Sequence, residues 1–206
     1  MGDRRCFAVI AVGYIAGISA YSRLPGPYLV ADSQLLFGRP IIGFLLPTTA
    51  ALTYLLLRSL WVRDPIRDRE EAFEATYDAI LLRIILFVIT LHIIVLAGLV
   101  GVLRGSMVAP RIVVMLLGLL LVGVGNLLPR TRPNSVIGIR TSRLMADRDL
   151  WIRTHRVAGY VTVALGMVIV AAGVFLSKSS IPNAIGTAAL IGAGLIVDSY
   201  RKYGRI

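Results

Sequence analysis

Residues 84–103 read IILFVITLHIIVLAGLVGVL, twenty positions without a single Asp, Glu, Lys or Arg. At about 1.5 Å per residue such a run makes a helix about 30 Å long, the thickness of a bilayer's hydrocarbon core. In lipid it has to be a helix, because an open backbone would leave its N–H and C=O groups unpaired. Runs of the same kind occupy residues 6–22, 40–57, 112–128, 157–177 and 179–197. The expected fold class is therefore all-α: a polytopic membrane protein, a bundle of six transmembrane helices. Composition agrees, with 57% hydrophobic and 16% charged residues, against about a quarter charged in soluble domains.

The ionisable residues collect in the gaps between the runs. If the N-terminus lies inside, sixteen of the 22 Lys and Arg residues fall on inner segments and five on outer ones, with Arg83 at an inner helix end. That bias places both termini in the cytoplasm and the protein in the inner (cytoplasmic) membrane. The same bias accounts for the net charge of +11, so no nucleic-acid partner is expected. Arg4 and Arg5 precede the first run, but no small-residue cleavage site follows, so that run is read as a retained span. Cys6 is the only cysteine, which excludes an internal disulfide and any multi-cysteine metal site.

Two regions are expected: an N-terminal membrane region, residues 1–110, and a second, residues 111–206, with three spans each. Gly13, Gly17, Gly118, Gly123, Gly125, Gly166, Gly186, Gly192 and Gly194 lie within spans, where small residues let helices approach closely. Lys178 and its flanking serines join the last two spans as a tight hairpin. The inner segment from Arg58 to Asp78 mixes signs at helical spacing and reads as a solvated helix entering the third span.

An ionisable residue inside a membrane is a functional candidate by default. His92 is the one that qualifies, and a hydrogen-bonded core role is its expected reading. Carboxylates deep in the spans are absent, which argues against ion-coupled transport. A bis-histidine haem does not fit, because His92 and His155 lie at different depths. No cofactor and no metal site is expected.

The loop after the fourth span, residues 129–156, has a different character. It reads PRTRPNSVIGIRTSRLMADRDLWIRTHR. Pro129 and Pro133 end the helix and extend the backbone. Asn134 and Gly138 suit turns with positive φ. Asp147 is the natural N-cap of the next helix, which would set Leu150 and Trp151 at the membrane interface. A generic positive-inside loop needs none of these specialised residues.

Gly125-Asn126-Leu127-Leu128-Pro129, then Pro133-Asn134, Gly138-Ile139-Arg140-Thr141 and finally Trp151, Thr154-His155-Arg156 and Gly159 together resemble the SdpI family. These bacterial membrane proteins are named after the immunity protein against a sporulation-delaying toxin. The resemblance covers about a third of the chain. It departs at Ser142-Arg143, where many members carry Pro-Trp, and near Leu24-Pro25, where a histidine is expected soon after. It implies toxin immunity, membrane signalling or both, with no enzymatic activity. The implied partners are the lipid bilayer and a peptide toxin, a cytoplasmic regulator or a larger membrane complex. The implied binding residues, for a partner or a lipid headgroup, are Asn126, Pro129, Asn134, Gly138, Arg140, Thr141, Trp151, Thr154, His155 and Arg156. Two other readings stay open: an accessory subunit of a membrane complex, and an enzyme acting on a lipid phosphate through His155 and neighbouring arginines.

Overall fold

The computed structural model describes residues 2–24, 26, 28–29, 36–65, 71–105, 108–177 and 179–203. Its helices are α1 (Gly2–Ala20), α2 (Arg39–Arg63), α3 (Glu71–Leu99), α4 (Val108–Gly125), α5 (Ser142–Ala146), α6 (Arg148–Phe175) and α7 (Ile181–Tyr203). Six of them, all but the five-residue α5, are long and apolar enough to cross a bilayer. The chain is a multi-pass, all-helical membrane protein. Among the described residues the strands are a single pair of two residues each, β1 (Tyr28–Leu29) and β2 (Leu36–Phe37), joined antiparallel with Tyr28 opposite Phe37. Lys178, Pro25 and residues 67–70 lie outside the described residues.

Three helix ends differ from the apolar runs, each for a local reason. α3 stops at Leu99 rather than continuing to residue 103. Gly101, at φ +78°, donates its N–H to the Gly98 carbonyl while Val102 donates to Ala97. That paired pattern closes a helix and calls for a left-handed residue at its end. α4 stops at Gly125, and Leu128–Arg130 form a 3-10 turn around Pro129, which has no N–H to continue an α-helix. α6 starts at Arg148, well before the apolar run at residue 157.

α1, α2 and α3 pack on one another around Cys6, Ala50, Tyr54, Trp61, Tyr77 and Ile85. In the other half α4 packs most extensively on α6, which also carries α7, and α3 meets α4 to join the halves. The α4–α6 contact runs through glycines spaced seven residues apart on both helices: Gly118 and Gly125 against Gly166 and Gly159. A Cβ at either Gly118 or Gly166 would stand 2.6 Å from the other's carbonyl oxygen, and one at Gly159 would stand 2.8 Å from Gly125's. Gly173 extends the series against Met115. Gly186 and Gly194 on α7 meet nothing, so the expected close packing does not extend to them within the single chain.

The mixed-charge inner segment is not simply a solvated face. Arg58 on α2 gathers Asp3 of α1 at 3.4 Å and two residues of α3, Glu74 at 3.8 Å and Asp78 at 3.2 Å. Asp3 also accepts a hydrogen bond from the Tyr54 hydroxyl at 2.8 Å. These charges tie the loop-side ends of α1, α2 and α3 together.

Candidate functional site

The loop between α4 and α6 folds back over the start of α6, and a few side chains hold it there. Asp147 caps α6 as expected, its carboxylate accepting from the Leu150 N–H at 2.9 Å. The first turns of α6 then point Trp151, Thr154 and His155 inward, all fully buried. The Trp151 indole N–H donates to the Thr131 hydroxyl at 3.3 Å, and that hydroxyl donates to the Leu128 carbonyl at 2.7 Å. Trp151 and His155 stack with ring centroids 4.0 Å apart and planes 14° from parallel.

His155 is held from both sides. Its Nδ1 meets the Trp151 carbonyl at 3.0 Å, and its Nε2 accepts the Ile139 backbone N–H at 3.0 Å. A carbonyl only accepts and a backbone amide only donates, so these partners select neutral imidazole protonated on Nδ1. Gly138 makes the approach possible. It sits at φ +110°, and a Cβ there would fall 2.3 Å from His155 Nε2.

Asn134 organises the middle of the loop. Its Oδ1 accepts from the N–H groups of Val136 (2.8 Å) and Ile137 (2.7 Å). Its Nδ2 donates to the carbonyls of Arg132 (2.7 Å) and Ile137 (3.1 Å). The fully buried amide thus spends its whole bonding capacity on the loop backbone. Next to it, the Ser135 N–H and hydroxyl donate to the two oxygens of Asp64 at 2.7 and 2.8 Å. Asp64 follows α2, so the loop is bolted to the N-terminal half. Val136 and Ile137 pack on that half's core. The Arg140 guanidinium donates to the Ser135 carbonyl. The Thr141 hydroxyl caps α5 by accepting from Leu144 N–H at 3.2 Å and lies 3.4 Å from the Tyr200 hydroxyl of α7.

The ten residues singled out from sequence thus gather in one region but divide by exposure. Asn134, Trp151, Thr154 and His155 are buried; Pro129 and Thr141 are half-buried, Pro129 resting against Gly159. Asn126, Gly138, Arg140 and Arg156 are exposed. Leu150 and Trp151 are not interfacial anchors: with Leu144 they form a small core of the loop itself. Sequence reasoning missed Thr131, Ser135, Asp64 and Tyr200. The first two stand inside the loop as hydroxyl residues beside Pro133-Asn134, a composition typical of side-chain-to-backbone turns. Asp64 and Tyr200 carried no local signal.

His155, enclosed by Trp151, Gly138 and Ile139, offers no free ring nitrogen to a phosphate, so the geometry does not favour the lipid-phosphate enzyme. His92 is buried as expected, with the backbone of Gly13 on α1 beside its ring.

Residues 130–198 match the model of the SdpI/YfhL protein family. The chain is also 23% identical over 199 residues to the Immunity protein SdpI of Bacillus subtilis (strain 168), covering 95% of this chain and 91% of the relative. The chain is thus similar to the SdpI/YfhL family over its loop and last two helices, and to an immunity protein along nearly its whole length. No solved structure matches the chain.

Proposed function

We propose that this chain protects its cell against a membrane-active peptide toxin and signals that encounter through the loop after α4. The observation that carries the reading is the likeness to an immunity protein along nearly the whole chain, together with a loop whose specialised residues are spent on its own architecture. Trp151, His155, Asn134 and Gly138 give the loop one rigid shape. The exposed Arg140 and Arg156, with Asn126 and Gly138, form its outward face. The arginine bias supports a cytoplasmic position for that face and for both termini, in a bacterial inner membrane, where the face suits an acidic regulator. Residues 1–110 act as the toxin-facing half and 111–206 as the half bearing the loop. Nothing in this role calls for catalysis, a cofactor or a metal.

Expression in cells lacking their own immunity gene tests the protective part: the cells survive toxin challenge, whereas equal killing with and without the gene overturns it. Co-purification tests the signalling part. A protein partner retained by the wild type is lost from Arg140→Ala; retention by both overturns the assignment of that face.

A second reading, an accessory subunit of a membrane complex, is favoured by one feature. Gly186 and Gly194 open toward empty space on α7, whose Leu190, Ile191 and Leu195 are exposed. Such a face admits a close-packed neighbouring helix. A lone monomer in mild detergent contradicts that reading.

A further inference from the structure

A cleft of about 430 Å³ lies between the start of α3 and the 3-10 turn after α4. Phe73, Thr76 and Ala79 form one wall; Pro129, Arg130 and Arg132 form the other. One step further along α3, Arg83 reaches back to donate to the Ala79 carbonyl at 2.9 Å, its side chain lying against Gly123 of α4. Two arginines, Arg130 and Arg132, therefore line the cavity, and Arg83 stands one turn beyond it. Glu74 and Asp78 of the same helix are turned away, since they lie on the opposite side and pair with Arg58. Further into the membrane, on the face that carries Ala79 and Arg83, α3 exposes Leu86. The cleft is thus cationic where the loop begins and apolar where the bilayer begins.

We infer that this cleft binds the phosphodiester headgroup of an anionic phospholipid from the leaflet on the loop side. Arginine guanidiniums match phosphate oxygens in charge and in hydrogen-bonding geometry. The apolar continuation past Leu86 is what selects a lipid over a free phosphate, because it provides a surface for the acyl chain. The site is separate from the outward face of Arg140 and Arg156 and from the buried His155, and it holds whether or not the chain confers immunity.

Native mass spectrometry of the full chain, released from nanodiscs of phosphatidylglycerol and phosphatidylcholine, tests the inference. Wild type retains phosphatidylglycerol in preference to phosphatidylcholine. The double variant Arg130→Gln/Arg132→Gln weakens that retention by about tenfold or more, the scale of one charge-assisted hydrogen bond lost. Ala75→Trp fills the cleft from its exposed rim without touching a charge, and it too lowers retention, which guards against a double variant that fails to fold. Arg143→Gln, on the exposed surface of α5, leaves retention unchanged. Equal retention of both lipids overturns the proposal, as does equal weakening by Arg143→Gln. Displacement of the lipid by millimolar inorganic phosphate overturns it in favour of a soluble anion site.

Discussion

Gly138 and His155 depend on one another. The glycine adopts a backbone that side chains disfavour, and its missing Cβ is where the imidazole sits. Gly138→Ala adds backbone strain and breaks the Ile139–His155 hydrogen bond, a combined cost of about 2–4 kcal/mol. Thermal unfolding in detergent should show a clearly lowered midpoint; an unchanged midpoint would mean that the contact is not formed. Asn134 offers a sharper comparison. Asn134→Ala leaves two N–H groups and two carbonyls without their partner. Asn134→Asp keeps the acceptor but sets a second oxygen against the carbonyls of Arg132 and Ile137. Both substitutions are expected to destabilise by about 2–4 kcal/mol. Full stability of the Asp variant would show that the Nδ2 bonds are dispensable. The turn and cap roles of Gly138 and Asp147 were legible because each acts within a few residues. The partnership of Ser135 with Asp64 spans 71 positions and leaves no periodic trace. Trp151 misled for a related reason: tryptophan beside arginines at a span's edge has the composition of an interfacial anchor, and only the folded loop shows it to be covered.

Among the elements, the α4–α6 pair tolerates least. Backbones in contact at Gly118 and Gly166 leave no room for a side chain, so Gly166→Val forces the helices apart, at about 1–3 kcal/mol. Because the two glycines share one contact, the double variant Gly118→Val/Gly166→Val is expected to cost less than the two single variants combined. Strictly additive shifts in unfolding midpoint would contradict the contact. The six spans themselves were readable from length and apolar content, which a bilayer makes nearly sufficient. Their ends were less so. α3 ends at a glycine cap and α4 at a proline turn, and an apolar run passes through such local signals unbroken. The glycines announced close packing, but not which of them would find a neighbour: Gly118 and Gly166 do, Gly186 and Gly194 do not.

At the scale of the whole molecule, the loop is a clasp. It leaves α4, seals over the first turns of α6, touches α7 through Tyr200 and is pinned to α2 through Asp64. A change on one half can therefore reach the other through a single rigid segment. The topology is open to direct test in a Cys6→Ser background. A membrane-impermeant maleimide should label Arg104→Cys, between α3 and α4, in intact cells, and Ser142→Cys only after permeabilisation. The reverse pattern would invert the orientation. The minimal inhibitory concentration of the sporulation-delaying toxin is the most direct test of SdpI-type immunity. In sensitive cells, wild-type expression should raise that concentration at least about tenfold, a change equivalent to about 1.4 kcal/mol in an equilibrium, and Asn134→Ala should lose most of the gain. No rise with the wild-type chain, at confirmed membrane expression, would contradict it.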